Sequence, residues 1–97
     1  MEFFGWYHHE IHINITMLSG KEFNIEGIGP MDTIRMLKLA IQDKEGFHPD
    51  EQRLIFKDEI LSNENTLMSY DILGESTLQL VLGNRQYKGY KRARAAY

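Results

Sequence analysis

The sequence predicts an α+β domain in which a mixed sheet of four to five strands covers one helix. Apolar and polar residues alternate in "IHINI" (11–15), "EFNIE" (22–26) and "STLQLVL" (76–82), as they do in half-buried strands. The segment "DTIRMLKLAIQDKEG" (32–46) instead repeats its apolar residues at helical spacing. The resulting order, ββαββ with a short turn segment, is typical of this fold class.

The first two strands are predicted to form a hairpin. The connection "LSGK" (18–21) contains Gly20, which adopts a positive φ without steric cost. The second strand is expected to end in "GIGP", because Pro30 has no N–H group to donate to a sheet.

Start and stop signals frame the helix. Thr33 or Asp32 is placed to cap its first N–H groups, and Gly46 to end it in the left-handed conformation. Pro49 prevents the helix from resuming. One face of the helix is apolar and should be buried, and its residues are Ile34, Leu37 and Ile41.

The second half of the chain is predicted to hold the remaining strands. "QRLIF" (52–56) is a short strand, and Leu61 lies in or beside another. "SNENTLMSYDIL" (62–73) is polar and rich in turn residues. In the last strand Leu78, Leu80 and Leu82 share one face, so that Gln79 and Val81 share the other.

Composition and charge limit the classes of function. A length of 97 residues suits a single domain, and the absence of Cys excludes disulfides and thiolate metal sites. No apolar run approaches 18 residues, and the N-terminus lacks the features of a secretory signal, so we expect a cytoplasmic or nuclear protein without a membrane span. All 14 acidic residues lie within 1–84, whereas 85–97 hold five basic residues. We therefore predict an aromatic leader (1–10), a domain (11–84) and a basic tail or linker (85–97).

Two longer segments carry a family resemblance. "IQDKEGFHPDEQRLIF" (41–56) and "TLMSYDILGESTLQLVL" (66–82) closely resemble ubiquitin, and the similarity runs from Ile11 to Leu82 with one extra residue near "EGIGP" (26–30). The resemblance implies the β-grasp fold of the ubiquitin-like proteins. It also implies a buried core made of Ile11, Ile13, Ile15, Phe23, Ile25, Ile34, Leu37, Ile41, Leu54, Leu61, Leu67, Ile72, Leu78 and Leu80.

The resemblance further implies a protein-binding patch. Ubiquitin receptors dock on an exposed apolar surface, which corresponds here to Leu18, Ile55 and Val81, with Gln79 in place of the family His. Strand alternation independently points Ile55, Gln79 and Val81 outward if their neighbours point inward. Basic rim positions are occupied by Arg53 and Lys57, while Gly83 replaces another. The expected partners are ubiquitin-receptor type proteins, such as a proteasome subunit or an interaction helix, bound by a monomer; scattered exposed apolar residues are the alternative.

Covalent attachment is not expected. A ubiquitin-type modifier ends in Gly-Gly after its last strand, because the activating enzyme threads a tail without side chains into a narrow channel. Gln86 and Tyr87 stand at those two positions. The predicted class is therefore a non-conjugating interaction module.

The basic tail supports a second hypothesis, in which the domain contacts RNA. Two tyrosines are interleaved with cationic residues here, and these are the two residue types that base stacking and phosphate attraction require. A plain linker and docking on the acidic body of the domain remain as alternatives. The residues concerned are Arg85, Tyr87, Lys88, Tyr90, Lys91, Arg92 and Arg94.

No pattern indicates catalysis, a cofactor or a metal site. Nucleophile and phosphate-loop motifs are missing, and the serines are typical of turns and caps. His8 and His12 would lie about 13 Å apart in an extended segment, too far to share an ion. We expect a protein that is not an enzyme.

Two departures from the family pattern concern the helix. The lysine that the family buries and pairs with an Asp corresponds to Lys38, but Asn63 stands at the Asp position; we expect Lys38 to turn toward solvent or to pair with Glu64. Met36 and Leu39 extend the apolar surface around the helix, which we call the apolar girdle. The leader either packs Phe3, Phe4 or Trp6 against that girdle, leaves it to a partner or a second copy, or has no fixed structure.

Overall fold

The computed structural model describes residues 11–83. Within this range the chain forms five strands, one α-helix and two single 3₁₀ turns. In chain order the elements are β1 (Ile11–Met17), β2 (Glu22–Ile28), α1 (Ile34–Glu45), a 3₁₀ turn (Pro49–Glu51), β3 (Gln52–Phe56), β4 (Glu59–Ile60), a second 3₁₀ turn (Met68–Tyr70) and β5 (Glu75–Leu82).

The strands form one mixed sheet in the order β2-β1-β5-β3-β4. β1 runs parallel to β5, while the β1–β2, β3–β5 and β3–β4 pairs are antiparallel. The parallel pair is central, and α1 connects β2 to β3, the two strands that flank this pair. The predicted α+β class, with a five-stranded mixed sheet and one helix in the described residues, is confirmed.

Both ends of α1 are fixed by specific caps. The Thr33 hydroxyl accepts a hydrogen bond from the N–H of Met36 at 3.2 Å, so Thr33 rather than Asp32 is the N-cap. Asp32 instead accepts from the N–H of Gly29 at 2.9 Å. Gly46 ends the helix with φ 86°, and its N–H donates to the carbonyl of Gln42.

The core lies between α1 and the inner face of the sheet. All but one of the predicted core residues are buried; the exception is Phe23, which is only partly buried and packs against the core edge. Ile28 is buried at 4% exposure although alternation from Ile25 would turn it outward. The cause is a shift in register, since Ile13 faces Ile25 but Ile11 faces Ile28. Gly27, at φ 77°, takes up the extra residue as a β-bulge.

Lys38 is buried on the inner side of α1. Its exposed fraction is 8%, so the expectation that it turns toward solvent is wrong. The position explains this result, because Lys38 follows Leu37 on the face that packs against the sheet, and its aliphatic stem can be buried there. The neighbouring Gln52 bonds the helix from β3, since its amide donates to the carbonyls of Lys38 and Phe47 at 2.9 and 3.1 Å.

The turn segment after β4 is tied to the start of the helix by backbone hydrogen bonds. The N–H groups of Leu67 and Met68 donate to the carbonyls of Asp32 and Pro30, both at 2.9 Å. Leu61 is buried beside β4, as predicted. No helix within residues 11–83 has the length and apolarity needed to cross a membrane.

Candidate protein-binding site

The outer face of the sheet aligns the predicted patch in rows across neighbouring strands. Ile55 on β3 faces Gln79 on β5, and Gln79 in turn faces Thr16 on β1. Directly paired residues have their side chains on the same side of a sheet. Their neighbours Leu54, Leu78 and Leu80 are fully buried, so this row points away from the core.

A second row lies beside the first. Val81 on β5 faces Arg53 on β3, which places both on the outer side as well. Leu18 follows Met17, the β1 partner of Leu80, and therefore lies at the level of Val81 in the first hairpin turn. Its side chain is 81% exposed. The structure thus brings Leu18, Ile55, Gln79 and Val81 onto one face.

Ile60 extends this face and was missed in the sequence. It is the β4 partner of Ile55, and 62% of its surface is exposed. Lys57 and Asp58 both adopt positive φ (52° and 66°), which makes the β3–β4 connection a two-residue turn of the type that suits a tight hairpin. The sequence "IFKDEI" lacks the Asn-Gly pair that usually marks such a turn, so the pairing of Ile60 with Ile55 was not recognised from the sequence. We call Leu18, Ile55, Ile60, Gln79 and Val81 the outer patch.

The two basic rim residues are placed differently. The Lys57 ammonium lies 5.2 Å from the centre of the Phe56 ring, which packs against the core rather than beside Ile55. A role for Lys57 at the rim of the binding surface remains a prediction. The Arg53 guanidinium lies beside Gly83, where an added Cβ would be 3.2 Å from its Nε. Gly83 leaves the space that Arg53 occupies.

Charges around the outer patch are mixed rather than basic. Thr16 faces Glu22 on β2, so the row that contains Ile55 ends in a carboxylate on one side. Asp58 and Glu59 are exposed near its other end, beside Ile60. Among the described cationic residues, only Arg53 occupies a position in the two rows, opposite Val81. The apolar side chains therefore dominate what a partner would contact.

A small cleft lies beside β3. It measures about 270 Å³ and is lined by Lys38, Asp50, Gln52, Arg53 and Asn63, together with Pro49 and Ile60. Gln52 Oε1 and Asn63 Oδ1 are buried there and accept no hydrogen bond from the described residues. Such orphaned acceptors cost stability, because burial removes the water that would otherwise satisfy them.

Tyr70 forms a polar anchor away from the outer patch. Its phenolic oxygen accepts from the N–H of Ser62 at 2.9 Å and from the Asn65 amide at 3.0 Å. These two donors, the Ser62 N–H first, lower the pKa of Tyr70 below its usual value because they stabilise the phenolate.

The remaining predicted sites are only partly covered by the structure. Among residues 11–83 no group of three His, Cys, Asp or Glu side chains could hold a metal ion. His12 lies 3.9 Å from a carboxylate oxygen of Glu26. His8, and the tail residues Arg85, Tyr87, Lys88, Tyr90, Lys91, Arg92 and Arg94, lie outside the described residues.

Comparison with known sequences identifies the fold family. The sequence profile of the Ubiquitin family matches residues 13–85. Ubiquitin-like protein NEDD8 of Dictyostelium discoideum is 40% identical over 73 residues, which cover 75% of this chain and 94% of the relative. The chain belongs to the ubiquitin family. Its β-grasp fold, with the central parallel pair formed by β1 and β5, is that of the ubiquitin-like proteins.

Other relatives include both small and large proteins of the ubiquitin family. Ubiquitin-like protein 1 of Schizosaccharomyces pombe is 36% identical over 73 residues, covering 75% of this chain and 92% of the relative. Ubiquitin domain-containing protein DSK2b of Arabidopsis thaliana is 27% identical over 74 residues, which are 76% of this chain but 13% of that protein. The family relationship supports a ubiquitin-like modifier or interaction module, and such proteins are generally not enzymes.

Proposed function

We propose that this ubiquitin-family chain is a non-conjugating interaction module whose outer patch binds ubiquitin-receptor type proteins. The observation that carries the proposal is the alignment of Ile55, Ile60 and Val81 with Leu18 on one solvent-facing side of the sheet. Contiguous exposed apolar side chains on a folded surface are typical of interaction sites.

The residues at the two glycine positions of the family favour a module over a modifier. Gln86 and Tyr87 occupy the positions at which a ubiquitin-type modifier carries its two glycines. The relative DSK2b, by its name, contains a ubiquitin domain within a much longer protein. A binding role needs only the folded surface, whereas conjugation needs the glycine tail.

The chemistry of the outer patch favours an apolar partner, such as an amphipathic helix. A helix presents apolar residues along one stripe, which fits two short rows of apolar side chains. The charges at the rim are mixed, and Arg53 is the one described cationic residue within the rows. Electrostatic attraction should therefore contribute little to the affinity for a partner. Binding should therefore be transient, as is usual for small interfaces, and should change little with ionic strength.

Nuclear magnetic resonance titration of the isotope-labelled full chain with a ubiquitin-interacting helix tests the proposal. We expect chemical shift changes centred on Ile55, Ile60 and Val81. Ile55→Ala should raise Kd by about tenfold or more, which corresponds to about 1.4 kcal/mol. Leu73→Ala is the control, since Leu73 is an exposed apolar residue that lies before β5, outside the outer patch.

The same titration separates the alternatives. Equal effects of Ile55→Ala and Leu73→Ala, or no shifts on the outer face, would contradict the receptor-binding proposal. A parallel titration with a short RNA tests the tail: shifts confined to 85–97 would favour the nucleic-acid hypothesis instead. Detection of the chain linked to a substrate lysine by mass spectrometry of a cell lysate would overturn its non-conjugating character.

A further inference from the structure

A second group of exposed apolar residues lies at one end of the sheet. Met31, Met68 and Leu73 are 66%, 43% and 49% exposed. Large apolar side chains that are exposed together in one region often mark an interaction site. We name these three residues the entry surface, because the chain enters the sheet beside them.

Backbone hydrogen bonds position the residues of the entry surface relative to the strands. The N–H of Met68 donates to the carbonyl of Pro30 at 2.9 Å, which brings Met68 next to Met31. Leu73 precedes Gly74, whose carbonyl accepts from the N–H of His12 at 3.1 Å. All three residues therefore lie where β2 ends, β5 begins and β1 starts.

The described chain begins at this same place. Ile11, the first residue of β1, faces Ile28, the last residue of β2, and His12 faces Glu75, the first residue of β5. Residues 1–10 consequently join the domain beside the entry surface. Leu18 and Leu82, which are also exposed, lie toward the other end of β1 and β5.

Composition and length of this N-terminal segment match that surface. The sequence "MEFFGWYHHE" contains four aromatic residues among its ten. Tyr7 and Trp6 precede Ile11 by four and five residues. An extended chain of that length reaches roughly 13–18 Å from Ile11. Methionine side chains adapt their shape and make favourable contacts with aromatic rings.

We propose that the aromatic segment Phe3–Tyr7 of the same chain folds back onto the entry surface, with Trp6 against Met31 and Met68. This assignment is independent of the outer patch, which lies on another face of the molecule. It differs from a site for a second copy because the tether supplies the aromatic side chains at high local concentration. It also directs the leader to Met31 and Met68 ahead of the Met36–Leu39 side of α1.

Methyl resonances of the full chain, labelled at the methyl groups of methionine, provide a direct test. The five methionines are Met1, Met17, Met31, Met36 and Met68. A packed indole shifts nearby methyl groups through its ring current, so Trp6→Ser should move the Met31 and Met68 signals. Met17, which ends β1 at the opposite end of the sheet, serves as internal reference and should not move.

Fluorescence gives a second, independent measurement because Trp6 is the sole tryptophan of the sequence. We expect blue-shifted emission and reduced quenching by acrylamide in the parent chain. The double substitution Met31→Ser with Met68→Ser should remove both effects, whereas Leu18→Ser should leave them unchanged. All three side chains are exposed, so none of these variants should unfold the domain, which far-ultraviolet circular dichroism verifies.

Three results would overturn the proposal. Emission typical of a fully hydrated indole in the parent chain would show that Trp6 is not covered. Methyl shifts confined to Met36 would place the segment on the helix instead. Dependence of the emission on protein concentration would assign the entry surface to a second copy of the chain.

Discussion

The two sides of β5 differ in burial, and we propose that one side serves stability and the other recognition. Leu78 and Leu80 point inward and are fully buried, whereas Gln79 and Val81 point outward and are only half-buried. Adjacent residues therefore belong to different regions of the molecule, the core and the outer patch. Substitutions at neighbouring positions of this strand should therefore change different properties. An inward residue should affect the free energy of unfolding, and an outward residue the affinity for a partner.

The largest effect is expected in the core. Leu80→Ala removes a fully buried side chain between β1 and β3, so it should lower the free energy of unfolding by about 2–5 kcal/mol. Val81→Ala, the matched control, should lower it by less than about 1 kcal/mol. Urea denaturation of both variants measures the difference. Similar losses for the two would break the distinction between the faces.

A smaller loss of stability is expected at the polar anchor. Tyr70→Phe keeps the ring that packs against the core but removes the acceptor for Ser62 and Asn65, which should cost roughly 1–2 kcal/mol. The measurement is again the free energy of unfolding in urea. An unchanged value would mean that water replaces both hydrogen bonds without loss.

The same tyrosine makes a prediction about pH. The pKa of Tyr70 is lowered in the folded protein, so between this lowered value and the ordinary value near 10 the unfolded chain binds more protons than the folded one. The contribution of Tyr70 to stability should therefore increase as the pH rises through that window and be lost as the pH falls below it. The gap between the parent chain and Tyr70→Phe should accordingly be wider near pH 10 than at pH 7.

A substitution at Asn63 should increase the stability of the folded domain. Asn63→Asp replaces an orphaned buried acceptor with a carboxylate in the cleft that Lys38 also lines, and the added attraction should raise the free energy of unfolding by roughly 1 kcal/mol. Asn63→Ala is the control, since it removes the acceptor without adding charge. If the Asp variant is no more stable than the Ala variant, the two side chains do not interact.

The smallest effect on stability is expected at Ile60. Ile60→Gln alters a side chain that is largely exposed on the two-residue strand β4, so the free energy of unfolding should change by no more than about 0.5 kcal/mol. Affinity for a ubiquitin-interacting helix should nevertheless fall by roughly threefold or more, because Ile60 is part of the outer patch. Unchanged affinity would restrict the binding surface to the residues recognised in the sequence.

Regular alternation explains why most of the fold was predictable. The inward leucines and isoleucines of β1, β3 and β5 follow the period of two without interruption. Ile28 was missed because the bulge at Gly27 breaks that period. The outer patch was recognised through its likeness to ubiquitin, whereas Ile60 depends on a pairing across a turn without its usual residues.

Side-chain direction was the less predictable part. The loss of the family Asp led to the wrong expectation that Lys38 turns toward solvent, and the sequence did not indicate that the Lys57 ammonium would lie over Phe56. Long cationic side chains have several accessible directions, and local packing rather than periodicity selects one of them.

The bulge at Gly27 also bears on aggregation. β2 forms one edge of the sheet, and an extra residue with positive φ interrupts its regular hydrogen-bonding pattern. The opposite edge, β4, is two residues long. Within residues 11–83, neither edge therefore offers a long, flat template on which another chain could add a strand. We therefore expect the sheet edges to have little tendency to add a strand from another chain.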